Sequence, residues 1–335
     1  MKTNMKQDNT LLQIIRILFF AIILTATSSS KAELKVVTTI KPLHSLIANV
    51  MSEIGEPSLI IEGSTSPHSF TLKPSHAKLL EEADIVFWVG VDMETFMEKP
   101  LESIIKNAKV ISLMEIDNIK KLKFREKNIF EEHEEHGEHE EHGEHEEHGE
   151  HEEHEEHEEH EEHGEHAHGE FDSHIWLDPI NAKEMVHEIA HELSYLDPVN
   201  KKKYSANANK TILAIDELIN NINKTINKDA LFVVFHDAYQ YFEKRFGVTS
   251  AGALTLNTDV LPGAKQIADI QNIIKEKGIN CIFSEPQFNP KIVETIAKDT
   301  NINIGIFDPL GANINSDKFL YFELINDLAN KLKNC

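Results

Sequence analysis

The chain has 335 residues, with 33 Lys and Arg against 57 Asp and Glu, 20 His, and a formal net charge of −24. One run, residues 131 to 170, holds 21 of those acidic residues as Glu, together with 13 His, 5 Gly and 1 Ala; outside it, 36 acidic residues face 33 basic ones. A near-neutral body without a basic face excludes nucleic acid and anionic lipid as partners.

In chain order, the first 32 residues read as an export signal. Lys2, Lys6 and Arg16 precede the apolar run Ile17 to Leu24, and Ser30-Lys31-Ala32 fits a small-x-small cleavage site, which would leave 303 residues. The apolar run falls short of the ~20 residues that span a bilayer, as does every later stretch. No cysteine sits near the cleavage site to carry a lipid, so the expectation is a protein free in the periplasm. Cys281 and Cys335 are the only cysteines. An oxidising compartment favours one bridge between them; the alternative is two free thiols.

The next segments alternate short apolar runs with helical patterns. Strands are expected at 34 to 40, 58 to 63, 84 to 90 and 109 to 113, with helices near 43 to 52, 75 to 82, 93 to 106 and 180 to 194. The second half repeats the scheme: strands at 231 to 236, 248 to 254, 280 to 285 and 302 to 307, helices near 238 to 245, 263 to 277, 290 to 298 and 316 to 332. Such alternation predicts an α/β protein of two doubly wound parallel-sheet lobes, 33 to 197 and 229 to 335. Between them, Tyr204, Ala208, Ile212, Ile215, Ile219, Ile222 and Ile226 mark one helical stripe within 198 to 228. Started by Pro198, that helix would be roughly 45 Å long and would join the lobes as a rigid strut.

The His/Glu run offers no stable fold. A His at every third helical position advances 300° per step, so the imidazoles wind around the axis and share no face. With 21 carboxylates and no apolar residue beyond Ala167, nothing offsets the entropy of ordering, and a disordered loop projecting from the first lobe is expected.

Seven histidines lie outside the run. Three fall where a doubly wound sheet places ligands, beyond the carboxyl ends of strands: His68 in SPHSFTLKPS, His174 in DSHIWLDP, and His236 closing LFVVF. Asp308, in FDPLG, takes the equivalent place after the last strand. Metal held by His68, His174, His236 and Asp308 would sit in the cleft between the lobes. His44 and His76 read as bystanders, His44 being near enough to the first strand's end to support a ligand. Tyr239, Phe242 and Phe246 read as packing residues.

Two rival readings come from the same residues. His187-Glu188-Ile189-Ala190-His191 spells H-E-x-x-H on an expected helix, the signature of a zinc metalloprotease, although no G-x-x-H follows it. Alternatively the run 131 to 170 is itself the site of a metal-storage protein, binding several ions with little geometric selection. Between that and a plain acidic spacer lies a loop that gathers the metal and raises its local supply to the cleft.

TTIKPLHSLIANV, SPHSFTLKPSHAKLLEEADIVFWVG, METFMEKPL, HIWLDP, FHDAYQYFEKRFG, SEPQFNP and FDPLG together resemble the ZnuA-like periplasmic solute-binding proteins of high-affinity ABC-type zinc importers. The resemblance covers essentially the whole mature chain. It implies two α/β lobes joined by a rigid helix, a His- and acid-rich insertion before HIWLDP, a Cys281–Cys335 disulfide, and no enzymatic activity. It implies Zn²⁺ as the transported ligand, bound by a monomer that delivers it to a membrane permease with its cytosolic ATPase. His68, His174 and His236 match the family's metal ligands. Asp308 matches the acidic ligand of related binders, with water as the alternative, while Pro67 stands where some relatives carry an acidic residue. Related manganese receptors have a carboxylate at the position of His236, and three imidazoles suit Zn²⁺ better than Mn²⁺.

Overall fold

The computed structural model describes residues 33–130 and 169–335, apart from 257, 259 and 301. The expected signal segment 1 to 32 and all but the last two residues of the His/Glu run lie outside the described residues. The chain divides into Met1–Leu34 and Lys35–Cys335, and the second unit carries the fold. Among the described residues no helix is long and apolar enough to cross a membrane.

Both expected sheets form. In the first lobe β1 (Val36–Thr38), β2 (Ser58–Leu59), β3 (Ile85–Trp88) and β4 (Lys109–Ser112) lie in the order β2-β1-β3-β4, every pair parallel. The second lobe repeats this with β5 (Phe232–His236), β6 (Ala253–Thr255), β7 (Cys281–Ser284) and β8 (Asn303–Ile306) in the order β6-β5-β7-β8. β3, β5 and β7 are buried along their whole length, which is why they read as unbroken apolar runs. The crossovers are α1 (Lys41–Val50), α2 (Pro74–Glu82) and α3 (Glu98–Ser103), then α6 (Gln240–Phe246), α7 (Ala264–Lys277) and α8 (Lys291–Thr300); α4 (Pro179–Leu196) and α9 (Leu320–Lys331) follow the last strand of each sheet.

The strut, α5 (Lys201–Thr225), has 25 residues and is about 37 Å long. It starts later than Pro198 because Asp197 and Asn200 form a turn, with Asp197 accepting from Asn200 at 2.6 Å and from the Tyr204 hydroxyl at 3.2 Å. Its buried stripe is Tyr204, Ala208, Thr211, Ile215, Leu218 and Ile222, while Ile212 and Ile219 are only partly covered. Thr211 enters the core because its hydroxyl bonds to Asn207 O at 2.8 Å, so no polar group is left unsatisfied.

Two departures concern the segments flanking the run. β6 is shorter than the expected 248 to 254, because Gly252 pairs antiparallel with Ile129 and Ala251 O accepts from Phe130 N. Gly252 permits this approach: a Cβ there would lie 2.5 Å from Asn128 O. The stretch expected in the first lobe thus crosses to the second, where Asn128 also donates to Ala253 O and Leu254 O. Arg125 anchors the crossing, pairing with Asp237 at 2.7 Å and Glu243 at 2.6 Å beneath the Phe130 ring. Re-entry is on the other lobe, where Gly169 N donates to Asp92. The described residues on the two sides of the run thus bond to different lobes, Phe130 to Ala251 and Gly169 to Asp92.

Candidate metal centre

Three local devices place three imidazoles in the cleft. After β2, Ser66 caps a single 3-10 turn, Pro67–Ser69, accepting from His68 N at 3.3 Å, and Pro67 fits the first position because it needs no donor there. His236 is the last residue of β5 and is buried. The register Val234↔Phe283 carries Glu285 to the end of the neighbouring strand β7, and His236 Nδ1 meets Glu285 Oε1 at 2.6 Å. β5 and β7 flank the switch point of the second sheet, where doubly wound folds bind ligands.

His174 precedes the turn Ile175–Leu177, which leads into α4. Asp172 Oδ1 accepts from His174 N at 2.9 Å and pairs with its Nδ1 at 2.7 Å. Asp178 caps α4 through Ile180 N and receives Arg245 of α6 through two bonds of 2.6 and 2.7 Å. Trp176 Nε1 donates to Pro309 O at 2.8 Å, the Tyr321 hydroxyl to Trp176 O, and the Tyr241 hydroxyl to Asp172 O. The His174 segment is thereby tied to the second lobe by three aromatic residues and an ion pair.

With both Nδ1 atoms committed to carboxylates, the Nε2 atoms of His174 and His236 face each other at 3.3 Å. Ligand atoms of His68, His174 and His236 all lie within 4.8 Å of one another. The free space between the rings is about 10 Å³, room for one ion or water. Burial and the neighbouring His236 push the His174 imidazole well below its ordinary pKa. Burial also opposes charge on His236, but the adjacent Glu285 carboxylate prevails and raises it. Asp172 is pushed up to about 7 by its burial. Two neutral imidazoles with Nδ1–H donated would direct two lone pairs at each other, which is repulsive unless a proton or a cation lies between them.

The structure does not bring Asp308 into this group. Its carboxylate accepts from Leu310 N, Gly311 N and Ala312 N, and from Gln287 Nε2 at 3.0 Å. It shapes the 308–312 turn, in which Gly311 takes a left-handed φ of +67°. Carbonyls of that turn and of the residues just after it receive the buried ammonium of Lys41 from α1: Gly311 O at 2.6 Å, Ala312 O at 3.0 Å and Ile314 O at 2.6 Å. Gln287 does line the cavity, and its Oε1 is buried without a hydrogen-bond partner.

His44 bonds to Pro57 O, and His76 accepts from Lys73 N, so each has a local structural task. Tyr239, Phe242 and Phe246 are buried, as packing residues should be. His187, Glu188 and His191 sit on α4, outside the cleft. Sequence reasoning missed Asp172, Trp176, Lys41 and Glu285. Glu285 was discoverable, since it ends a strand beside the switch point; Lys41 gave no signal, because its partners are backbone carbonyls about 270 residues away.

Two α/β lobes bridged by one long helix, each sheet turning its carboxyl ends to a common cleft, define a two-lobed solute-binding protein. More narrowly, the chain belongs to the ZnuA family, described as zinc-uptake complex component A, periplasmic, whose profile matches residues 36–335. The high-affinity zinc uptake system protein ZnuA of Brucella abortus (strain 2308) is 48% identical over 303 residues, covering 90% of this chain and 91% of its own. A structure of a ZnuA deletion mutant with zinc bound superposes with a TM-score of 0.69 at 21% identity, covering 90% of this chain and 97% of that one. FpvC of Pseudomonas aeruginosa, a solute-binding protein in complex with Mn²⁺, also gives 0.69, at 20% identity over 90% and 98% of the two chains. At 20–21% identity these two structures show the fold alone; zinc is the ion that the family description and the Brucella relative name.

The family is one of zinc-uptake transport components. A disulfide joins Cys281 of β7 to Cys335 across a separation of 54 residues, tying the end of α9 to the sheet.

Proposed function

We propose that this protein is a periplasmic receptor that captures Zn²⁺ in the interlobe cleft, with His68, His174 and His236 as ligands, and delivers it as a monomer to the permease of an ABC importer. The observation that carries this reading is the 3.3 Å separation of the His174 and His236 Nε2 atoms. Two nitrogens bound at about 2.0 to 2.1 Å to a tetrahedral ion stand roughly 3.3 Å apart, so the rings are already spaced for zinc. An all-imidazole set suits that borderline ion, whereas Mn²⁺ favours carboxylate and water oxygens. A water completes the tetrahedron, and the unpartnered Oε1 of Gln287 is placed to accept from it. Asp308 acts one step back, through the turn that Lys41 grips.

The lobes, 33 to 197 and 229 to 335, act as jaws on a stiff helix and move little, since Arg245, Tyr241, Tyr321 and Lys41 all bridge them. A competitive zinc titration of the mature chain and its His174→Ala and His236→Ala variants tests the assignment. One tight site lost in either variant supports it. Tight binding unchanged in both would move function to the His/Glu run.

A further inference from the structure

The motif His187-Glu188-Ile189-Ala190-His191 takes no part in the cleft. His191 lies 13 residues beyond Asp178 on α4, about 20 Å along the axis from the end that faces the cleft. Glu184, His187, Glu188 and His191 form one wall of a surface groove of about 560 Å³, and Ser112, Glu115 and Asp117, at the end of β4 and the turn after it, form the other. Ligand atoms of Glu188, His191 and Glu192 lie within 4.8 Å of one another. Glu192 is buried, with Oε2 held by the Lys109 ammonium and Oε1 3.5 Å from His191 Nδ1.

We propose that Glu188, His191 and Glu192 form a second divalent-cation site, separate from the cleft and suited to Zn²⁺ or a similar borderline ion. One imidazole nitrogen and two carboxylate oxygens make a mixed donor set of the kind such ions accept, leaving positions for water. Lys109 fixes the orientation of Glu192 and withdraws part of its charge, so this site is much weaker than the three-imidazole cleft. The remaining carboxylates of the groove, Glu115, Asp117 and Glu184, favour a cation over an anion there; Lys121 stands 3.5 Å from Glu115 and offsets one of them.

This assignment differs from the protease pattern that the motif spells. In that pattern both histidines bind the ion and the glutamate is left free as general base. Here the glutamate belongs to the converging group and His187 does not. With Glu188 among the ligands and His187 outside the group, the pattern's pair of histidines with an unbound glutamate is lacking, and the site binds without hydrolysing.

The experiment is zinc-edge anomalous scattering from crystals of the full chain, with zinc in excess of all 20 histidines so that no other group starves the site. The expected result is a peak bonded to Glu188 and His191, kept in His187→Ala and lost in His191→Ala. His191 is mostly exposed, so its variant folds, and the cleft peak in every crystal serves as the internal check. No peak on α4, a peak that survives His191→Ala, or one that His187→Ala removes would each overturn the assignment. None of these outcomes depends on the cleft reading, whose own peak is seen separately.

Discussion

His174 and His236 present their Nε2 atoms to each other across 3.3 Å while Asp172 and Glu285 hold the Nδ1 atoms behind them. Without an ion, the Glu285 carboxylate favours a proton on His236, and that proton can be shared with the neutral His174. Zinc replaces it.

Affinity should therefore depend on pH with a definite sign. Because the Glu285 carboxylate outweighs burial and raises the His236 imidazole above its ordinary value, proton competition should set in at a higher pH than it would for an ordinary histidine. Competition titrations at pH 8, 7 and 6 should show affinity falling toward about tenfold per pH unit for each proton displaced. A flat profile across that range would contradict the shared-proton picture.

Replacing Glu285 with Gln keeps the shape and removes the charge. We expect zinc affinity to drop about 10- to 100-fold, the usual consequence of losing a carboxylate behind a ligating imidazole. The onset of the pH effect should move lower, since the group that raises His236 is gone. A variant with unchanged affinity and unchanged onset would show that the pair is only structural.

Lys41 ties α1 of the first lobe to three carbonyls of the second. Lys41→Met leaves those carbonyls without their donor, at a cost of about 1.5 to 3 kcal/mol for a charged hydrogen-bonding group. If the grip keeps the cleft closed, zinc should leave about 10- to 100-fold faster in a stopped-flow chelator experiment. An unaltered release rate would assign Lys41 to stability alone.

Glu94 is fully buried after β3, its Oε2 accepting from Val89 N and Gly90 N, and its pKa is pushed up to about 7 chiefly by burial. A carboxyl with a raised folded-state pKa holds its proton longer folded than unfolded. Its contribution is thus most favourable below about 4.5 and is lost as pH rises to about 7. Glu94→Gln should gain on the wild type by up to about 3 kcal/mol between pH 5 and pH 8 in urea unfolding. A constant difference between the two proteins would show that Glu94 does not titrate in this window.

The Cys281–Cys335 bridge closes a 54-residue loop, worth about 4 kcal/mol on the chain-entropy estimate. Cys335→Ser should lower unfolding stability by about that amount and leave zinc affinity nearly intact, because the bridge lies on the sheet's far side from Glu285 along β7. Loss of zinc binding in a folded variant would mean that α9 also positions the cleft.

The sequence determined which segments become strands and helices, since buried parallel strands such as Ile85–Trp88 and Phe232–His236 are written as continuous apolar runs and amphipathic helices as stripes. It also placed His68, His174 and His236 at strand ends and turns, where local chain geometry alone aims a side chain outward. What only the tertiary structure decided is every relation between distant residues. Glu285 behind His236 depends on strand order and register, and Asp308's turn away from the imidazoles depends on backbone donors and on Gln287. The crossing of residues 125 to 130 rests on the room left by Gly252, and Lys41's grip on Gly311 and Ile314 on lobes that meet. Periodicity records how each segment faces a core; it carries no term for which two faces meet.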